Sequence, residues 1–245
     1  MKRLLATLTL SLFSAPILFA SSGADWGYNG EHGPAHWGDI KGDYAQCSKG
    51  KEQSPIDLKW KQPKNDRSIK FHYQKSAFEI SDNGHTIKAG FDKGNYIEVE
   101  GHKYNLLQLH FHAHSEHSIS KKFFPMEMHL VHQDEHGKLA VVGVMFTEGQ
   151  KNQELEHLLS QIPHEKNHPK KVSEKLAIDM LLPMIHTHYH YMGSLTTPPC
   201  SEGVNWNVLN TPIQASAEQI AKFQKLYSAN YRPVQGLNGR VPANF

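Results

Sequence analysis

The stretch Gln108–His132, QLHFHAHSEHSISKKFFPMEMHLVH, restricts the possible folds more than any other part of the chain. His110 and His112 are two residues apart, so in an extended strand both imidazoles leave from the same face. A second apolar run, Met126–Val131, alternates as a strand does and puts Glu127, His129 and Val131 on one face. Side by side, the two strands present three neutral imidazoles to one point. Three nitrogen donors with a fourth position open is the ligand set of a catalytic zinc site, whereas structural zinc sites are closed by four protein ligands. Gln108 and Glu127 each precede one of these histidines by two residues on the same strand face. There they can accept the imidazole's other N–H and so fix its tautomer and orientation. These neighbours carry the argument, because the chain holds 18 histidines and most histidines are surface or satisfied interior residues. His186, His188 and His190 also alternate, in HTHYHY. That run has no acidic residue nearby and leads directly into Met-Gly-Ser, so it reads as a strand with one polar face rather than a second metal site.

The rest of the chain supplies strands to surround this pair. Ile69–Phe78 and Thr86–Ala89 are strand-like and joined through Ser81-Asp82-Asn83-Gly84, a strong turn signal. Tyr96–Val99 and Tyr104–His112 pair across the Gly101 turn. Lys138–Thr147 is a continuous apolar run, expected as a central strand buried on both faces. Helical periodicity is confined to Asn152–Ile162 and to a segment opened by the capping box Ser216–Gln219, with Ile220, Phe223 and Tyr227 on one face. The fold expected is mainly β with short peripheral helices, an α+β single domain built on one large, mostly antiparallel twisted sheet. Trp26–Trp37, rich in Gly, His and aromatics without either period, is expected to lie irregularly over the core.

Met1–Ala20 carries Lys2 and Arg3 followed by an apolar run, the pattern of a secretory signal with cleavage after Ala20 or Ala24. The mature domain would then span about 25–245, exported to the periplasm or secreted. Removing the signal deletes two basic residues and no acidic ones, so the formal charge falls from +2 to 0. That argues against nucleic acid or an anionic membrane as partner, and the Lys-rich stretch 166–171 is expected as a solvated loop. No later segment is apolar enough to span a bilayer. Cys47 and Cys200 are the only cysteines, and in an exported chain a single pair suggests one disulfide. Two free thiols are the alternative.

Gly193-Ser-Leu-Thr-Thr-Pro-Pro-Cys200 is the other dense stretch; on its residues alone it is equally well a Pro-stiffened surface loop. Taken in order, QSPI, NGH, QLHFH, SEH, EMHLVH, GSLTTPP, Trp206 and NYRP resemble the alpha-class carbonic anhydrases of the exported bacterial type. The resemblance runs from about Trp26 to Arg240. It implies a zinc enzyme that hydrates carbon dioxide to bicarbonate, with zinc on His110, His112 and His129. Thr196 with Glu116 would orient the attacking hydroxide. Val131, Val141, Leu195, Thr196, Thr197, Val204 and Trp206 would line the substrate pocket. Gln108, Glu127 and the Asn230 carbonyl would support the three ligands. Cys47–Cys200 resembles the family's disulfide, and Ser54–Pro55 and Pro198–Pro199 resemble its cis prolines.

His85 matches the family's proton-shuttle position, and its unperturbed pKa near 6.5 suits that task. An acid of pKa about 7 loses its proton to water at only about 10^3 per second if recombination runs near 10^10 per molar per second. The turnover of about 10^6 per second generally quoted for carbonic anhydrases therefore needs a carrier. The chain departs from the pattern at three places. Ala113-His114-Ser115 is a short link, implying an open cavity rim. His114 adds an imidazole, expected to be exposed. Lys88 stands where relatives often carry a neutral polar residue and is expected to disturb the proton-carrying water chain. A catalytically dead relative or a zinc-storage protein are the competing readings. The first conflicts with three filled ligand positions, and the second has no use for Thr196, Glu116 or an apolar pocket. The partner expected is small-molecule substrate alone, with the chain a monomer or homodimer.

Overall fold

The computed structural model describes residues 26–61, 63 and 68–245; the expected signal lies outside them. Two short helical turns, α1 (Trp37–Ile40) and α2 (Gln46–Lys49), precede fourteen strands. These are β1 (Asp57–Leu58), β2 (Lys70–His72), β3 (Ser76–Asp82), β4 (Ile87–Phe91), β5 (Tyr96–Val99), β6 (His102–His112), β7 (Ser118–Ile119) and β8 (Met126–Gln133). They continue as β9 (Leu139–Glu148), β10 (Lys170–Leu176), β11 (His188–Ser194), β12 (Glu202–Leu209), β13 (Ile213–Ala215) and β14 (Ala243–Asn244). Two longer helices, α3 (Gln153–Ser160) and α4 (Ala217–Leu226), sit between them. One sheet runs β10-β3-β4-β6-β8-β9-β12-β11-β14, with β5 on β6, β2 on β5 and β13 on β9. It is antiparallel except where β12 and β13 meet β9. The mainly β expectation holds, with a mixed seam at the centre.

That seam follows from β9. Its residues are buried from Ala140 to Phe146, as the unbroken apolar run predicts. Val142, Val144 and Phe146 enter the large core beneath α3 and α4, while Val141 and Met145 enter a second cluster with Val131, Tyr191, Val204 and Trp206. α4 carries the capping box the sequence announces, and α3 is capped by Asn152. Asn152 Oδ1 accepts from Leu155 N–H, and Ser216 with Gln219 forms the reciprocal box.

Two expectations are corrected. Ile69–Phe78 is not one strand: it breaks into β2 and β3, which pair with β5 and with β4 and β10 respectively. The corner is stitched by side chains, Gln74 N–H donating to Asn95 Oδ1 at 2.8 Å and Asn95 Nδ2 to Ser76 Oγ at 2.7 Å. Lys170 and Lys171 belong not to a loop but to the outer edge strand β10, where exposed lysines discourage pairing with another chain. The two expected X–Pro bonds are cis. The Cys47–Cys200 disulfide is formed, and the two cysteines cluster with Trp37, against which Trp26 and Tyr28 pack. The 26–37 segment therefore lies over the molecule as an aromatic cover anchored by that bond.

Candidate metal centre

The centre is built where β6 and β8 run antiparallel, with His110 directly opposite His129 and His112 opposite Glu127. A β-bulge at Leu107 makes this possible. Before it, Tyr104 and Leu106 point into the large core; after it, Leu109 and Phe111 do. One inserted residue flips the phase of the strand, so Gln108, His110 and His112 share the opposite face. Without the bulge, the histidines would continue the Tyr104–Leu106 row into the core.

His110, His112 and His129 bring one ring nitrogen each to within 4.8 Å of one another. Their ring centroids are 4.5–5.2 Å apart. The remaining ring nitrogens are all engaged. His110 Nδ1 meets Gln108 Oε1 at 2.9 Å, His112 Nδ1 meets the Asn230 carbonyl at 2.6 Å, and His129 Nε2 meets Glu127 Oε1 at 2.8 Å. Because each of these partners is an acceptor, each imidazole donates outward and turns a bare lone pair inward. Burial, then the neighbouring His112 and His129 and the Lys88 ammonium, holds His110 well below the usual histidine range. Burial also lowers His112, against the raising effect of Glu116. Both are therefore neutral at neutral pH and able to serve as ligands.

His112 Nε2 is buried without a hydrogen-bond partner, and so is Glu116 Oε2, 3.6 Å away. A buried polar atom left unpaired is costly. Three converging lone pairs, one of them orphaned and none with a donor, suit a borderline cation such as zinc. His117, Glu127 and His129 also cluster, but that group is a hydrogen-bond network. Glu127 Oε2 accepts from the Glu116 and His117 backbone N–H groups, and its Oε1 from His117 Nδ1 and His129 Nε2, all at 2.8–2.9 Å. Burial alone would raise this carboxyl; His117 and His129 instead hold it well below the ordinary range. Gly143 on β9 makes the room, since a Cβ there would stand 3.1 Å from Glu127 Oε1.

The centre separates two unlike hollows. One, of about 220 Å³, is lined by Val131, Val141, Leu195, Trp206 and the Thr196–Pro199 segment. Val204, expected in this lining, instead packs beneath it, two residues along the β12 face from the larger Trp206. The other, of about 370 Å³, is lined by Tyr28, Lys41, His85, Lys88 and Thr197 among others, and both reach the histidines.

Thr196 is buried at the centre's edge. The expected hydrogen bond from its hydroxyl to Glu116 is not formed: Glu116 Oε1 is taken by Arg232 N–H at 2.8 Å, and Oε2 faces His112. His85 is half-buried and stacks on Trp26 at 3.9 Å. His114 is not exposed as expected but half-buried, stacked on Tyr231 at 3.7 Å and packed on Phe123.

Sequence reasoning missed three supports. His117, fully buried, links Glu127 to the Tyr191 hydroxyl at 2.7 Å, which lies 2.8 Å from Ser54 Oγ. Arg232, 1% exposed, gives one guanidinium to Gln53 Oε1, the Ser54 carbonyl and the Cys47 carbonyl, each at 2.8 Å. Asn230 offers more than its carbonyl: its Nδ2 donates to the His85 and Phe111 carbonyls, and its Oδ1 accepts from Ala113 N–H. One side chain thus ties the His85 turn to the end of β6.

The comparisons with known proteins agree with this geometry. The eukaryotic-type carbonic anhydrase family profile matches residues 32–243. A carbonic anhydrase of Pectobacterium carotovorum is 41% identical over 229 residues, covering 92% of this chain and 94% of its own. A hyperthermostable carbonic anhydrase from a hydrothermal vent chimney superposes with a TM-score of 0.85 at 45% identity, over 90% of this chain and 99% of that one. The alpha-carbonic anhydrase of Thermovibrio ammonificans, solved with the inhibitor sulfanilamide, gives 0.83 at 41% identity over 91% and 99%. With its bulged strand, its three inward lone pairs and a profile match across nearly all of the described residues, the chain belongs to the alpha-class carbonic anhydrases, an enzyme family.

Proposed function

We propose that this chain hydrates carbon dioxide reversibly to bicarbonate and a proton, using zinc held by His110, His112 and His129. The observation that carries the reading is the orphaned Nε2 of His112 beside two further bare imidazole nitrogens, between an apolar and a polar hollow. The ion supplies Lewis acidity that brings the ionisation of a water it holds to about pH 7, the value generally given for carbonic anhydrases themselves.

The residues divide the remaining work. Gln108, Glu127 and Asn230 hold the ligand rings in one tautomer and orientation. Val131, Val141, Leu195 and Trp206 exclude water from the hollow that receives carbon dioxide, with Thr196 and Thr197 at its edge. Glu116, one oxygen fixed by Arg232 and the other open, would accept a hydrogen bond from the Thr196 hydroxyl after a local shift from the arrangement described above, and that bond would point the Thr196 oxygen's lone pairs at the reacting centre. Burial and then Lys166 hold His85 below the usual imidazole range, against Asp82. It is therefore neutral at pH 7 and can accept a proton across the polar hollow.

Among the described residues no helix is long and apolar enough to cross a membrane. The Lys2–Arg3 leader and the disulfide support export to the periplasm or beyond. The test is metal analysis of purified protein joined to stopped-flow hydration of carbon dioxide. One zinc per chain, activity lost to chelator and restored by zinc are expected; hydration that survives complete metal removal would overturn the reading.

A further inference from the structure

The polar hollow carries a charge that the proton relay does not use. Its described lining includes two lysines, Lys41 and Lys88, and no aspartate or glutamate. Lys88 is opposite His110 in the antiparallel register of β4 and β6. Directly paired residues project from the same sheet face, so the Lys88 side chain stands beside a zinc ligand. It is half-buried, and no carboxylate among the described residues pairs with it. Lys41 stands further out, its ammonium 4.4 Å over the Tyr44 ring. The two carboxylates nearest the centre cannot balance the Lys88 charge through the hollow. Glu127 is saturated by four donors, and Glu116 is fully buried behind the imidazoles.

An unpaired, half-desolvated ammonium next to a divalent-cation site is unfavourable unless something anionic enters between them. We propose that Lys88 makes the polar hollow a holding subsite for a small monovalent oxyanion, which in this enzyme is bicarbonate. The inference rests on the carbon dioxide hydration reading and deepens it. Carbon dioxide is uncharged and enters by the apolar side, so the lysines leave its binding alone. The overall equilibrium constant fixes the ratio of kcat/KM in the two directions. A residue that holds ground-state bicarbonate therefore shows itself as a matched change of kcat and KM for dehydration, not in either kcat/KM.

The experiment substitutes Lys88→Gln, with Lys88→Arg as the charge-preserving control, in the full mature protein. Cobalt(II)-loaded protein is titrated with bicarbonate and followed by its visible absorption, alongside product inhibition of hydration by bicarbonate in the zinc form. One ammonium acting across a partly solvated hollow is expected to shift the dissociation constant about fivefold. Lys88→Gln should weaken bicarbonate by that factor in both measurements, Lys88→Arg should not, and kcat/KM for carbon dioxide should stay within twofold. If cobalt loads and hydration proceeds but bicarbonate binds Lys88→Gln as tightly as wild type, the inference is overturned and the catalytic reading stands. If wild type neither takes the metal nor hydrates carbon dioxide, both are overturned.

Discussion

Two runs of alternating histidines in one chain have opposite fates. His110 and His112 lie on β6 beside a second strand that supplies His129, with an acceptor behind every ring. His188 and His190 lie on β11, whose neighbours are β12 and β14. Opposite His188 and His190 in β12 stand Leu209 and Asn207, and both rings pack near Phe245. His186 falls before the strand and packs on Phe71 at 4.6 Å. The face is therefore less a polar surface than the sequence suggests, since His188 is 2% exposed. Alternation alone places side chains on one face; the partner strand decides whether their lone pairs meet. Among the described residues, no group drawn from the second run brings three ligand atoms together.

The largest expected effect breaks this contrast directly. His129→Ala removes the one proposed ligand that β8 contributes and should lower carbon dioxide hydration by on the order of 10^4-fold or more, with loss of stoichiometric zinc. His190→Ala should leave zinc content and hydration at wild-type levels. Metal analysis and stopped-flow assays on the two variants decide it; equal losses in both would mean the second run also serves the centre.

How far the centre was legible follows from the same contrast. The three histidines and two of their acceptors could be read because a period of two is local: Gln108 and Glu127 precede their histidines on the same face. The phase change at Leu107 was also written in the chain, as apolar residues at 104, 106, 109 and 111, yet the run was read as one regular strand. His117, Arg232 and the amide of Asn230 were not legible, because they act across 10 to 185 residues through contacts that only the folded chain creates. The central position of β9 followed from its apolar run, whereas β10, β12 and β13 were not read as strands. The split of β2 from β3 depended on Asn95, more than twenty residues away from the start of the break, and so escaped a local reading.

The acceptors give the next effect. Glu127→Gln puts an amide where four donors converge and should weaken zinc by up to about 100-fold. Gln108→Ala, which frees a single donor at the half-buried His110, should cost about tenfold. Competition with a chromophoric chelator measures both. The reverse ranking would show that tautomer control from the interior matters less than control from the rim.

His132 sharpens the comparison from β8 itself. Three residues beyond His129, it projects to the other face, fully buried, with Nε2 2.7 Å from the Tyr73 hydroxyl. Burial lowers it from 6.5 to about 3 despite backbone carbonyls that raise it. With the folded value below the unfolded one, the unfolded chain takes up the proton first as pH falls. The stability is complete above about pH 6.5 and drains away down to about pH 3. Between pH 6.5 and 5 the loss from this residue is about 2 kcal/mol. Urea midpoints at pH 5 and 7 should therefore separate in wild type and draw together in His132→Gln.

His85 is the smallest and most conditional case, a histidine that neither binds metal nor joins the core. It is held by its turn and by Trp26: its backbone N–H goes to Asn83 Oδ1, its carbonyl takes Asn230 Nδ2, and its ring stacks on the indole. A group so placed can affect only the step that exports protons. His85→Ala should thus lower kcat about tenfold in weak buffer, toward the roughly 10^3 per second that unaided release to water allows. It should leave kcat/KM for carbon dioxide unchanged, because that ratio reports the steps before the proton departs. Added imidazole should restore the lost turnover, since a dissolved base replaces a tethered one. A fall in kcat/KM would instead mean that the His85 turn, through Asn230, holds His112 in place, and that the residue supports the centre rather than serving it.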